Sequence, residues 1–178
     1  MKIETDRLLL REWRKSDIND IVEGLSDFDT NKNITAPYPY CSKHAEAFID
    51  KHGKHTNNSF YFAIELKSSG KVIGGTNVNI VEDKVKGGIW LNKEYQGKGY
   101  GTEAFCARAR FAFDTLGVAE IENGFFDFNE KSWRMQEQMG YKIVGEKKNF
   151  SPALNKEVTE IVTSLTKEDF LKTKQIRP

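Results

Sequence analysis

Apolar residues recur at helical spacing in several stretches of the chain. Ile18, Ile21, Val22 and Leu25 stand at i, i+3, i+4 and i+7 behind Ser16-Asp17, a pair suited to cap a helix. Phe105, Ala109, Ala112, Phe113 and Leu116 recur at i, i+4, i+7, i+8 and i+11, which predicts the main helix. A further helix is expected after Ser42, carrying Ala45, Phe48 and Ile49, and a short one over Ser132–Met139. Asn31–Tyr40 holds Pro37 and Pro39 and is not regular helix. Strand-like apolar runs fill the remainder. Leu8–Trp13 is the first, and Phe60–Leu66 and Lys71–Val81 form a pair around Ser68-Ser69-Gly70. Another run ends near Leu91, Glu120–Phe126 follows the main helix, and Tyr141–Phe150 with Glu157–Thr166 closes the chain as a hairpin around Ser151-Pro152. Antiparallel hairpins mixed with one strand–loop–helix unit make the fold class α+β.

Bulk properties narrow the setting. At 178 residues the chain is long enough for one domain with a sizeable core. Residues 1–170 are expected to form that domain and 171–178 a tail. The formal net charge of +1, without long blocks of one sign, offers no field to draw nucleic acid or an anionic membrane. No apolar run is long enough to span a bilayer, and Met1–Thr5 lacks an apolar signal segment. Cys41 and Cys106 lie far apart and make no metal-type pair. The expectation is a soluble, reduced, cytoplasmic protein.

Candidate chemistry centres on Gln96-Gly97-Lys98-Gly99-Tyr100-Gly101-Thr102, between the strand-like Gly88–Leu91 and the main helix. A glycine-rich turn there exposes backbone N–H groups at the positive end of the helix dipole, a ready phosphate site. Gly97, Gly99 and Gly101 allow positive φ and close approach, and Lys98 adds a mobile charge. The letters exclude two familiar phosphate loops. Lys98 is followed by Gly99 rather than Ser or Thr, and the glycine spacing is wrong for a dinucleotide fingerprint. A tight turn that uses glycine for geometry alone needs fewer glycines than stand here.

The run Trp90 to Ala104, with its Gln-x-x-Gly-x-Gly core, resembles the acetyl-CoA loop of the GNAT N-acetyltransferase superfamily. Asn129-Glu130-Lys131-Ser132 followed by Met139-Gly140-Tyr141 and Gly145 is similar to that family's second motif. Thr5–Arg11 and Val158–Phe170 are similar to the opening and the closing strand of its RimJ/RimL-like branch. The resemblance implies the GNAT acyl-CoA N-acyltransferase fold, a central, mostly antiparallel mixed sheet of about six or seven strands flanked by about four helices. It also implies an acetyl-CoA-dependent N-acetyltransferase without a metal. The amine acceptor would be a protein N-terminus or a small molecule, and the family commonly forms homodimers.

The same resemblance distributes roles. Backbone amides of Gly97, Lys98, Gly99, Tyr100 and Gly101, flanked by Gln96 and Thr102, would hold the pyrophosphate. Trp90, Leu91 and Asn92 would pair with the pantetheine arm in strand fashion. Asn129 would bind the pantetheine or simply cap the helix after it. Ser132 would lie by the cofactor sulfur and stabilise the leaving thiolate. The tyrosine that many members carry seven residues after Asn129 is replaced here by Gln136, which moves that role onto Ser132.

An alkyl amine has a pKa of about 10.4, so a proton must leave before attack. The family's usual glutamate on the strand before the loop is Lys86 here, which leaves Glu122, Glu82, Asp83 and Asp127 as candidate bases, Glu122 foremost, with water-mediated deprotonation beside them. His44, His52 and His55 lack the carboxylate or cysteine of a metal motif. Tyr38 and Tyr40, in the proline-rich loop, are the best candidates for an acceptor pocket. The competing reading is an acyl-CoA-binding protein of this fold that has lost catalysis, for which Lys86 and Gln136 are the evidence.

Overall fold

A computed structural model describes residues 1–81 and 84–173. Glu82 and Asp83, named above as candidate bases, and residues 174–178 of the expected tail lie outside the described residues. The order is β1 (Lys2–Glu4), β2 (Leu8–Arg11), α1 (Ile18–Ser26), α2 (Phe28–Asn31), α3 (Ser42–His52), β3 (Ser59–Leu66), β4 (Val72–Val81), β5 (Lys84–Lys86) and β6 (Ile89–Leu91). Then come α4 (Tyr100–Arg110), β7 (Glu120–Phe126), α5 (Glu130–Gln138), β8 (Lys142–Ser151), β9 (Lys156–Thr166) and α6 (Lys167–Lys172). The nine strands form one sheet in the order β1-β2-β3-β4-β5-β7-β9-β8, with β6 attached to β4. All pairings are antiparallel except β5 with β7.

The strand and helix counts exceed the expectation because β1, β5, α2 and α6 are short. A strand of three residues carries too little periodicity to read. Leu171 and Lys172 belong to α6 rather than to a tail. Two caps also differ. Cys41, not Ser42, is the N-cap of α3. Asp17 makes no side-chain cap bond to α1. Its carboxylate instead takes a two-pronged bond from Arg11 at 2.8 and 2.9 Å and another from the Arg14 N–H at 2.8 Å, tying β2 to the start of α1. This charged, forked pair joins two different elements, a contact that the spacing of apolar residues does not show.

The helices cover both faces of the sheet. On one, Phe105, Ala109 and Phe113 of the α4 segment are buried with Phe62, Ile64, Ile73 and Val78. Each buried Phe, Ile or Val side chain among them contributes about 1.5–3 kcal/mol. On the other face Ile21 and Leu25 of α1 and Ala45 and Ile49 of α3 pack with Trp13, Ala63 and Val72. After Arg110 the main helix widens by one residue, the Leu116 N–H reaching Phe111 O at 3.1 Å.

One irregularity positions the site. β4 pairs with β6 through Gly74–Thr76 and then with β5 through Asn79–Val81. At the changeover Asn77 Oδ1 accepts from the Gly88 N–H at 3.1 Å and the Thr76 hydroxyl donates to Gly88 O at 2.8 Å. A Cβ on Gly87 would lie 2.0 Å from Asn77 O, so this kink admits only glycine without rearrangement. Arg108, fully buried on α4, braces it from behind by donating to Asn77 O at 3.3 Å and to the Tyr141 hydroxyl at 3.2 Å, with its guanidinium 4.1 Å from the Phe105 ring centre. β5 pairs with β7 at Val85 and Lys86, whereas β6 pairs with β4 and not with β7. The facing edges of Ile89–Leu91 and Asn123–Phe126 therefore part, leaving main-chain groups unpaired across a cleft through the sheet.

Candidate active site

The glycine loop stands at the α4 end of that cleft. Gly97 has φ +73° and Gly99 has φ +82°, left-handed values that favour glycine. Gly99 is the N-cap of α4, and the first helical bond runs from the Glu103 N–H to Gly99 O at 3.0 Å. The N–H groups of Tyr100, Gly101 and Thr102 thus have no helical carbonyl to bond and point at whatever sits before the helix. Gly101 departs from the sequence reading, because it lies within α4. A Cβ there would come 3.3 Å from Leu91 Cδ1 and 3.6 Å from Met135 Sδ, so its role is close packing of α4 on β6 and α5.

Neighbouring side chains brace the loop. Gln96 Nε2 donates to Leu91 O at 3.0 Å, bolting the loop to β6. Lys98 Nζ lies 5.6 Å from the Tyr95 ring centre and is exposed. Arg7, from the N-terminal segment, had no expected role. Its Nη1 donates to Lys98 O at 3.0 Å, its guanidinium lies 4.4 Å over the Tyr100 ring, and its Nε pairs with Glu103 at 2.7 Å. Glu103 also accepts from the Thr5 hydroxyl at 2.6 Å and the Arg7 N–H at 2.9 Å. Burial alone would raise its pKa, but these donors and the Arg7 charge outweigh burial and hold the carboxyl below its ordinary value. A half-exposed cation thus stands beside the amide cradle, so the donor set suits a phosphate-bearing ligand.

The strand residues assigned to the pantetheine separate by role. Trp90 points to the α1 side, its ring filling the space over Gly24 and Gly75. Leu91 is buried in the α4 core. Asn92 is already engaged: its N–H donates to Ile73 O at 2.9 Å, Oδ1 accepts from the Glu94 N–H at 3.1 Å, and Nδ2 donates to Glu23 at 3.1 Å. Asn129 caps α5, its Oδ1 accepting from the Ser132 N–H at 3.2 Å.

Ser132 sits in the first turn of α5. Its Oγ accepts from Gln136 Nε2 at 3.1 Å, and Gln136 Oε1 accepts from the Thr163 hydroxyl at 2.6 Å. Gln136 and Thr163 are fully buried. Because Oγ is an acceptor from Gln136, the serine proton is directed away from the core.

On the opposite face lies a cavity of about 850 Å³ bounded by Trp13, Tyr40, Phe48, Tyr61 and Trp90, with the two edges of the cleft in its floor. Tyr40 borders it as expected; Tyr38 does not, and instead meets Phe28 edge-on at 5.7 Å. Glu122 is not among the bordering residues, and its carboxylate lies 3.3 Å from Lys86 Nζ. Asp127 is exposed at the end of β7 and does not border the cavity either. The carboxylate that does is Glu160 of β9. It is paired in register with Phe126, and a Cβ on Gly124 would stand 2.1 Å from its Oε1. Asn149 Nδ2 donates to Oε2 at 2.8 Å and Lys147 Nζ lies 3.5 Å from Oε1. The absence of a side chain at Gly124 therefore lets Glu160 lie across β7. Four residues of strand, about 13 Å, separate Glu122 from that rung. Among the described residues no three His, Cys, Asp or Glu side chains are grouped to hold a metal ion, and no helix is long and apolar enough to cross a membrane.

Known proteins share the family and the fold. A family model described as the acetyltransferase (GNAT) domain matches residues 7–142. YnaD of Bacillus subtilis (strain 168), described as an uncharacterized N-acetyltransferase, is 28% identical over 96% of this chain and 99% of its own. A GNAT-family acetyltransferase from Bacillus anthracis superimposes with a TM-score of 0.82 at 24% identity, covering 94% of this chain and 99% of that one. The spermidine N-acetyltransferase of Vibrio cholerae, solved with CoA and spermine, gives 0.79 at 18% identity over 94% of this chain and all of its own. The two structural likenesses are likenesses of fold.

Proposed function

We infer that this chain, which belongs to the acetyltransferase (GNAT) family, moves acetyl from acetyl-CoA to a primary amine by direct attack within a ternary complex. The chain is an N-acetyltransferase; the acceptor, the order of events and the residues that carry them are the proposal. The observation that supports it is the seat of Glu160 in the cavity floor, where the edges of β6 and β7 part; Ser132, held by Gln136 in the first turn of α5, is assigned to the sulfur side. The amine adds to one face of the planar thioester carbonyl, and the tetrahedral intermediate then breaks its C–S bond. The reaction therefore needs a proton acceptor beside the amine and a stabilising group beside the departing thiolate.

The residues fit acetyl-CoA. The N–H groups of Gly97–Thr102, with Arg7 and Lys98 beside them, would hold its phosphates, and the unpaired edges of β6 and β7 would take its amide arm. Bound there, acetyl-CoA supplies the thioester carbonyl that an amine attacks. Glu160 Oε1, held in the cavity floor by Asn149 and Lys147, receives the ammonium proton directly or through one water. Ser132 Oγ–H, aimed outward by Gln136, stabilises the charge developing on sulfur. Lys86 and Glu122 neutralise each other away from this centre.

The terminal motifs support the RimJ/RimL-like branch as our reading, with a protein N-terminus or a small molecule as acceptor. That a fold neighbour is a spermidine N-acetyltransferase bound to CoA supports both the cofactor and an amine acceptor. The test is turnover: purified protein, acetyl-CoA and an amine panel, with release of CoA thiol matched to N-acetylated product by mass. Product in equal amount supports the reading, and thiol release without product contradicts it.

A further inference from the structure

We infer that the acceptor is a monoamine carried on an aromatic or bulky apolar body, seated in the cavity with its ammonium against Glu160. This inference rests on the acetyl-transfer reading and narrows its substrate.

The cavity volume of about 850 Å³ falls within the range of sites that enclose small molecules. Aromatic rings make up much of its wall, with Asn33, Thr35 and Lys51 among the polar side chains that also border it. Trp13 meets Phe48 edge-on at 5.5 Å, and Phe48 meets Tyr61 at 5.8 Å. His52 stacks on Tyr61 with ring centres 4.1 Å apart. Burial, helped by the Lys51 charge, pushes the His52 imidazole below its ordinary pKa, so at neutral pH it adds a flat uncharged surface. Two polar groups of the floor, Thr76 Oγ1 and Asn77 Oδ1, are already engaged with Gly88. With the β6 and β7 edges taken by the amide arm of acetyl-CoA, a peptide N-terminus would set its further N–H and C=O groups against the aromatic rings of Trp13, Phe48 and Tyr61, and buried polar groups without partners are costly.

Charge excludes a second class. Among the described residues bordering the cavity Glu160 is the only carboxylate, and it already has Lys147 at 3.5 Å, while Lys51 stands on the α3 wall. A polyamine would place two or more ammonium groups where one shared carboxylate is available. The unmatched charges would lose water without gaining a partner. One ammonium on an apolar body meets both conditions.

The intact protein with acetyl-CoA tests this by comparing initial rates of product formation with tryptamine, phenethylamine, spermidine and a serine-initiated hexapeptide. The arylalkylamines are expected to exceed spermidine and the peptide in kcat/KM by about 100-fold, the scale on which a pocket rejects ligands that leave polar groups unmatched. Ala47→Glu, which adds a second carboxylate to the cavity wall, should raise spermidine use by about 10-fold. Spermidine or the peptide acetylated as well as tryptamine by the parent protein would overturn the acceptor class and leave acetyl transfer standing. Acetyl-CoA binding with none of the amines acetylated would overturn both.

Discussion

Gln136 donates its side-chain amide to Ser132 Oγ at 3.1 Å while its own oxygen accepts from Thr163 at 2.6 Å. This buried chain fixes which way the amide faces and, through it, where the serine proton points. In the proposed function Gln136 is thus a positioning residue for Ser132. Gln136→Leu keeps the volume and removes both bonds. Its kcat is expected to fall to the level of Ser132→Ala, about 10–100-fold, with acetyl-CoA affinity unchanged. Stability should drop by about 1–3 kcal/mol, because the buried Thr163 hydroxyl loses its acceptor. The double variant should be no slower than either single one; additive losses would separate the two residues.

Gly99→Glu tests the cradle. The substitution puts a Cβ at φ +82°, 3.2 Å from Arg7 Nη2, and a carboxylate before the helix amides. Acetyl-CoA affinity by titration calorimetry should fall by about 100-fold or more, while circular dichroism retains the folded spectrum. Unchanged affinity would show that the phosphates bind elsewhere.

Glu160 and Gly124 form a second pair. Glu160→Gln keeps the shape and removes the proposed base, so kcat/KM should fall by about 100-fold. Gly124→Ala should act similarly at a distance from the chemistry, since its Cβ would fall 2.1 Å from Glu160 Oε1 and turn the carboxylate aside. The carboxylate is the movable end of a side chain, so the fold should persist. Full activity in both variants would return the proton to water or to Glu122.

Legibility in sequence followed how local each feature is. The glycine loop, β7 and the closing hairpin are contiguous runs with their own turn chemistry, and they stand where their letters place them. Phe105, Ala109, Ala112 and Phe113 are all buried as their spacing implies. Glu160 was illegible because its position depends on register across two strands and on the missing side chain of Gly124. Arg7 reaches the loop across 91 positions of chain, and nothing near it in sequence announces the carbonyl of Lys98. Lys86 stood out as an anomaly, but only pairing β5 with β7 shows that it neutralises Glu122.

Acid should loosen the loop before the core. Glu103 is held below its ordinary value of 4.5 by Thr5 and Arg7, which outweigh burial. A depressed carboxylate contributes stability that is complete above that value and fades as pH falls through the lowered one. Glu103→Gln should therefore cost about 1 kcal/mol at pH 7, discounted for the half-exposed Arg7. The difference from the parent should shrink as pH falls below 4.5. Thermal unfolding at a series of pH values gives the comparison; a gap that widens in acid would reverse the assignment.

The central claim is that Ser132 and Glu160 serve one transfer across one cleft. A single steady-state experiment addresses it most directly: the parent protein and the Ser132→Ala, Glu160→Gln double variant, each with acetyl-CoA and tryptamine, with N-acetylated product counted by mass. The parent should give product matched to released thiol, and the double variant a rate at least about 1,000-fold lower with acetyl-CoA still bound. Equal rates in the two proteins, or a parent that binds acetyl-CoA and acetylates no amine, would contradict it.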